Sequence, residues 1–248
     1  MLNTSDGGTR APEASALHRF GRIIGAIPGA RALYRKIVQR GYAGTPSFWE
    51  ERYRAGGNSG SGSYGRLALF KAEVLNAFVV ARDVTSVIEL GCGDGNQLTL
   101  ATYPTYIGLD VSRTAVAACA ARFAGDSSKS FFLYSPPCFV DNRGLFRADL
   151  ALSLDVIYHL IEDDVYHRYM RDLFRAGTRY VIVYSSNVEG ERIIAHFRSR
   201  RFTDWVSANA KEWRLSATIP NKYPYDPKQP DETSLADFYI FERGSEHR

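Results

Sequence analysis

The stretch Val87–Gly95 (VIELGCGDG) constrains this chain more than any other. An apolar run, SVIEL, stops at a glycine-rich turn, which is the pattern of a buried strand handing over to a loop. Gly91 and Gly93 allow positive φ and bring the backbone against a ligand with no Cβ in between. The next strand-like run, Tyr106–Leu109, ends at Asp110, where a carboxylate can accept hydrogen bonds from two ribose hydroxyls. The plainer alternative is a tight turn, with Asp110 capping the helix that follows. It leaves Glu89 and the repeated glycines without a purpose.

The spacing also separates two kinds of nucleoside. A dinucleotide loop reads G-x-G-x-x-G, whereas this one reads Glu-x-Gly-x-Gly-x-Gly from Glu89 to Gly95. An acid at Glu89 would oppose a pyrophosphate. It suits a cationic amino-acid group, because unlike charges attract strongly in a partly desolvated site. The spacing therefore favours S-adenosylmethionine over NAD.

Around this loop the chain alternates. Strands are expected at Ser86–Leu90, Tyr106–Leu109, Ser130–Tyr134, Leu150–Leu154 and Tyr180–Tyr184, and helices at Leu67–Ala81, Arg113–Phe123 and Asp163–Phe174, with another opening at Gln97–Ala101. Such alternation predicts an α/β fold, a mostly parallel sheet wound on both faces. Helix is also expected across Glu191–Asn209, and strand-like runs Trp213–Ile219 and Ala236–Phe241 predict a terminal antiparallel hairpin, for seven strands in all. Ahead of the sheet, residues 1–12 are small and polar, with nothing to bury. Two short helices follow over 14–39, broken at Pro28-Gly29, and then an aromatic helix at Ser47–Tyr53. The run Ala55–Gly65 (AGGNSGSGSYG) is either a linker or a loop that orders over a ligand. We divide the chain into residues 1–65, a tail with a basic helical extension and this loop, and residues 66–248, the sheet domain.

The motifs resemble those of the class I (seven-stranded) S-adenosylmethionine-dependent methyltransferases. VIELGCGDG is similar to their first motif, YIGLDVS to the second, and Leu150–Asp164 (LALSLDVIYHLIEDD) to the fourth-strand motif. The resemblance covers about Ser86–Arg243. It implies that Gly91, Cys92, Gly93 and Gly95 line the cofactor, that Glu89 lies near its amino group, that Asp110 holds the ribose, and that Asp155 lies near the methionine end. The family usually has an acid or polar residue after the third strand to meet the adenine. This chain has Tyr134-Ser135-Pro136-Pro137 there, which leaves Ser135 as the candidate.

The acceptor is less legible. Asn/Asp-Pro-Pro-Tyr, common in enzymes that methylate base amines, is missing after the fourth strand. Asp155 could begin a metal set, but Ser185-Ser186-Asn187 offers no second carboxylate, so no metal is expected. His159 is the candidate general base, although it could instead pack beneath the next helix. Tyr158 could shape the acceptor pocket. Arg198 and Arg201, set among aromatics, could bind a carboxylate, phosphate or sugar, or could belong to a solvated helix start. The expectation is O-methylation of a small molecule or a glycan or glycolipid hydroxyl. The alternatives are methylation of RNA or protein, or a non-catalytic cofactor-binding partner subunit.

Composition sets the outer bounds. The formal charge is +4, too small to favour nucleic acid as a partner. The basic helices, with Arg19, Arg22, Arg31, Arg35, Lys36 and Arg40 against Glu13, could form a helical lid or rest on an anionic membrane surface. Three scattered cysteines argue for reduced thiols rather than a disulfide framework or a zinc site. No apolar run reaches the roughly 18 residues of a membrane span, and no signal peptide is evident. A cytoplasmic protein is expected. Oligomeric state is not legible.

Overall fold

The computed structural model describes residues 44–190 and 196–244. The basic helices expected over 14–39 lie outside the described residues, as does part of the helix expected over 191–209.

Helix α1 (Thr45–Arg54) leads through the Gly/Ser loop to α2 (Gly65–Ala81). The sheet then builds as β1 (Val87–Leu90), β2 (Tyr106–Asp110), α3 (Arg113–Arg122), β3 (Lys129–Leu133), β4 (Ala148–Leu154), α4 (Asp163–Ala176) and β5 (Gly177–Ser185). It closes with α5 (Phe202–Asn209), β6 (Trp213–Ile219) and β7 (Asp237–Arg243). The seven strands lie in the order β3-β2-β1-β4-β5-β7-β6. β1 to β5 are parallel to their neighbours, and β7 runs antiparallel between β5 and β6. The expected terminal hairpin is thus present, with its second strand inserted inside the edge formed by its first.

Side-chain alternation distributes the core over two faces. Leu150, Leu152 and Leu154 of β4, with Ile182 and Tyr184 of β5, meet Phe70, Leu75 and Val79 of α2. Ile88, Leu90, Ala151, Val181 and Val183 face the other way, onto Met170, Leu173 and Phe174 of α4. The apolar residues of α4 recur at Tyr166, Tyr169, Met170, Leu173 and Phe174, one helical stripe. Asp163 and Asp164 begin that helix and Arg175 ends it, matching its dipole. β1 is buried along its whole length because helices cover both sides.

Two expected elements differ. Gln97–Leu100 is a single 3-10 turn rather than the opening of a helix. Residues 198–201 are non-helical, because their polar groups bond to the segment after β4 instead of to one another. The Arg198 N–H donates to the Tyr158 carbonyl at 2.8 Å. Arg200 donates to the carbonyls of Leu160 and Ile161 and to Asp163 Oδ1, and its guanidinium lies 4.2 Å from the centre of the Tyr166 ring.

Strand order reverses between β1 and β4, so a crevice opens beyond their carboxyl ends. Leu152 of β4, paired with Glu89 of β1, is fully buried. Leu152→Ala is expected to lower unfolding free energy by about 2–5 kcal/mol, the usual cost of a cavity in a close-packed core. Chemical denaturation measures this, and a loss below about 1 kcal/mol would contradict the packing described.

Candidate functional site

The crevice holds a cavity, partly open to solvent, lined by the ends of β1, β2 and β4 and by α1. Its floor is the loop after β1. Gly91 has φ 90°, and a Cβ there would come within 2.5 Å of Val156 Cγ2, so only glycine fits. Cys92 and Gly93 also line the cavity. Gly95 does not; it packs toward Cys119 and Phe123 and serves the turn instead.

Two carboxylates stand at the strand ends. Asp110 Oδ2 accepts from the Gly93 N–H and Oδ1 from the Ser112 N–H, both at 2.9 Å. A carboxylate offers about four lone-pair positions, so Asp110 keeps acceptor capacity for a ligand. Burial pushes its pKa up to about 6, opposed by the backbone N–H groups of Ser112, Gly93 and Val111. Glu89 is buried and accepts from the Tyr106 hydroxyl at 2.6 Å. Burial lifts its pKa to about 7, against the pull of the Tyr106 hydroxyl and the Lys71 charge. Burial thus favours the neutral form of Glu89, and a cation beside it would favour the charged form.

Asp155 follows β4 in the left-handed region, at φ 60°. Its N–H donates to the Tyr184 carbonyl at 2.9 Å, its Oδ1 accepts from the Tyr158 hydroxyl at 2.6 Å, and its Oδ2 accepts from Lys71 Nζ at 2.6 Å. These three bonds hold a backbone conformation that an isolated Asp visits at a cost of about 1 kcal/mol. Gly62 of the Gly/Ser loop approaches so closely that a Cβ there would lie 2.7 Å from Asp155 Oδ2.

The roof comes from α1 and that loop. Ser59 N–H donates to Asp94 Oδ2, and the Asp94 N–H returns a bond to Ser59 Oγ, both at 2.9 Å. Tyr64 donates to Asp94 as well, and Tyr53 bonds Ser59. Glu50 accepts from the Ser112 and Thr114 hydroxyls, and these bonds hold its pKa down at about 2. The Ala55–Gly65 run is therefore fastened to the glycine loop by specific hydrogen bonds.

His159 is part of the cavity wall. Its Nδ1 lies 2.7 Å from the His196 carbonyl, which can only accept, so Nδ1 carries the ring proton. Burial lowers its pKa and favours the neutral ring, whose Nε2 then holds a lone pair. The ring of Trp49 from α1 stands edge-on to it, 4.9 Å between centres.

Besides Gly95, four expected site residues lie away from the cavity wall. Ser135 is exposed and absent from the wall, whereas Tyr134 and Pro136 line it, because alternation beyond the strand end turns every second side chain inward. Tyr158 reaches Asp155 rather than the cavity surface. Arg198 bonds Asp163 Oδ1 at 2.9 Å and the Ile161 carbonyl. Arg201 is exposed, its N–H directed at Glu189. Arg198 and Arg200, not Arg201, fasten the segment after β4. Lys71 and Gln97 line the cavity and were missed by sequence reasoning. The signal for Lys71 is a lysine between Leu67 and Leu75 on the apolar stripe of α2.

No family model matches the sequence, and no curated protein matches it. Solved structures do resemble the fold. The methyltransferase domain of bacterial CtHen1-C is 22% identical with a TM-score of 0.55, covering 71% of this chain and 97% of that one. Magnesium protoporphyrin IX methyltransferase from Synechocystis PCC 6803, with bound S-adenosylmethionine, is 14% identical with a TM-score of 0.58, covering 82% and 99%. The N-methyltransferase NodS from Bradyrhizobium japonicum WM9, with S-adenosylhomocysteine, is 13% identical with a TM-score of 0.54, covering 71% and 87%. The chain thus has the class I, Rossmann-like methyltransferase fold.

The raised pKa of Glu89 has a consequence for stability. Between the ordinary value of 4.5 and about 7, the folded protein holds a proton there that the unfolded chain has lost. Glu89 therefore makes the fold less stable as pH rises through that window. Glu89→Gln keeps an acceptor for Tyr106 and removes the titration. Its stability relative to the parent is expected to rise by roughly 2 kcal/mol from pH 5 to pH 8 in denaturant titrations. A difference independent of pH would contradict the assignment.

Proposed function

We propose that the chain is an S-adenosylmethionine-dependent methyltransferase that methylates a hydroxyl of a small molecule or glycan without a metal. What carries the reading is one cavity, at the reversal of strand order, walled by Glu89, Asp110 and His159. The residues present fit the cofactor. Asp110 has acceptor positions for a ribose, Glu89 offers negative charge to a cation, and Gly91 lets the backbone approach closely. Val111 and Val156, from the ends of β2 and β4, give apolar walls suited to a base, with Tyr134 and Pro136 as further edges.

When bound, the sulfonium supplies an electrophilic methyl group. The protein's part is alignment, which converts a bimolecular displacement into a local one, and removal of the acceptor proton. His159 Nε2 takes that proton while Nδ1 stays bonded to the His196 carbonyl, so the ring charge is stabilised where it forms. The metal-independent reading is supported by Asp155, whose two oxygens are engaged by Lys71 and Tyr158. No group of three or more metal-ligating side chains occurs among the described residues. No described helix is long and apolar enough to cross a membrane. A reduced, cytoplasmic setting fits the free thiols of Cys92, Cys119 and Cys138.

His159→Ala is expected to cut methyl transfer by at least about a hundredfold, the usual worth of a general base, with cofactor affinity unchanged in calorimetry. Loss of affinity together with activity would assign His159 to the fold instead. Incubating the protein with methyl-labelled cofactor and fractionated extract tests the acceptor: label is expected in glycan or small hydroxylated metabolites. Label in RNA or protein would overturn that assignment. Transfer is expected to survive dialysis against EDTA, and restoration by magnesium after a loss would refute metal independence.

A further inference from the structure

The cavity contains a buried cation that the chemistry above does not require. Only 1% of the Lys71 side chain is exposed. An ammonium carries three N–H donors. One goes to Asp155 Oδ2 at 2.6 Å, and Nζ lies 5.3 Å from the centre of the Tyr184 ring. No further hydrogen-bond acceptor for Nζ is found among the described residues. Such a group is costly to bury unless something completes its bonding.

Gln97 presents the complementary deficit. Its Nε2 donates to the Ala68 carbonyl at 3.1 Å, one turn before Lys71 on α2. A carbonyl only accepts, so the orientation of the amide is fixed and Oε1 is the other atom. Gln97 Oε1 is buried with no hydrogen-bond partner. Lys71, Gln97 and Glu89 all line the same cavity. A ligand carrying an anionic and a cationic group on adjacent atoms would satisfy both deficits at once, as an α-amino acid does.

We propose that Lys71 and Gln97 form a subsite for the amino-acid end of the nucleoside ligand, Lys71 donating to its carboxylate and Gln97 Oε1 accepting from its ammonium. The inference rests on the cofactor reading above and names the residues that would distinguish the whole ligand from its nucleoside half. Asp155 then has a positioning role, holding the Lys71 ammonium at the cavity wall. Tyr184 completes the enclosure from β5.

Binding tests this without turnover. S-adenosylhomocysteine carries the amino-acid end; 5′-methylthioadenosine is the same thioether nucleoside without it. Both are titrated by calorimetry into the full chain, into Asp155→Asn, and into the double variant K71M/D155N. The Asn background avoids leaving a buried unpaired carboxylate when the lysine is removed. The parent is expected to prefer S-adenosylhomocysteine. K71M/D155N is expected to lose roughly ten- to a hundredfold of that affinity relative to D155N, with 5′-methylthioadenosine changed by less than about twofold. Gln97→Leu is expected to weaken the homocysteine ligand with the same selectivity. Parallel weakening of both ligands, or no weakening of either, would overturn the subsite. Equal affinity of the parent for both would refute the subsite while leaving the nucleoside site standing. If the parent binds neither, the cofactor reading fails and the subsite with it.

Discussion

The contact between Lys71 and Asp155 joins parts of the chain that the sheet alone does not bring together. It ties α2 to the end of β4 at 2.6 Å. Asp155 has a left-handed backbone where the chain leaves β4, and its other carboxylate oxygen accepts from the Tyr158 hydroxyl. Gly62 can then lie against the same carboxylate. A buried ion pair of this kind is a poor source of net stability, because desolvation of both charges offsets their attraction. What it contributes is geometry: one arrangement of the crevice walls instead of several.

A second set of contacts decides how the crevice is covered. Asp94 accepts from Ser59 and Tyr64, while Glu50 bonds Ser112 and Thr114 at the start of α3. Both acids lie where helical or loop N–H groups are left without partners, so the roof is fastened by groups the floor would otherwise leave to water. The chemistry of the floor and the position of the roof are thus linked through the glycine loop. The cavity between them carries acids whose burial raises their pKa values, which suits a ligand bearing positive charge.

Much of the floor was legible in sequence. The run SVIEL and the glycines after it identify β1 and its loop, and Asp110 falls where the period of β2 puts it. These features are local: each depends on residues within one strand and one turn. The arginines of 198–201 show the opposite case. Their pattern suits either an anionic or sugar ligand or a solvated helix start, but Arg198 and Arg200 satisfy their donors on Asp163 and the carbonyls of Leu160 and Ile161. Those partners are more than thirty residues away, and no periodicity announces them. Ser135 is the polar residue of its turn, but the turn after β3 presents Tyr134 and Pro136 to the cavity.

The sequence by itself determined the parallel sheet, the loop after β1 and the two acids that face the cavity. It could do so because strand periodicity and glycine chemistry act over a few residues. Tertiary structure alone decided that Lys71 meets Asp155, that α1 and the Gly/Ser loop cover the crevice, and that His159 commits Nδ1 to a carbonyl. Each of these pairs residues tens of positions apart, brought together by the winding of the sheet. The identity of a side chain says what bonds it can make, and only the fold says which partner is within reach.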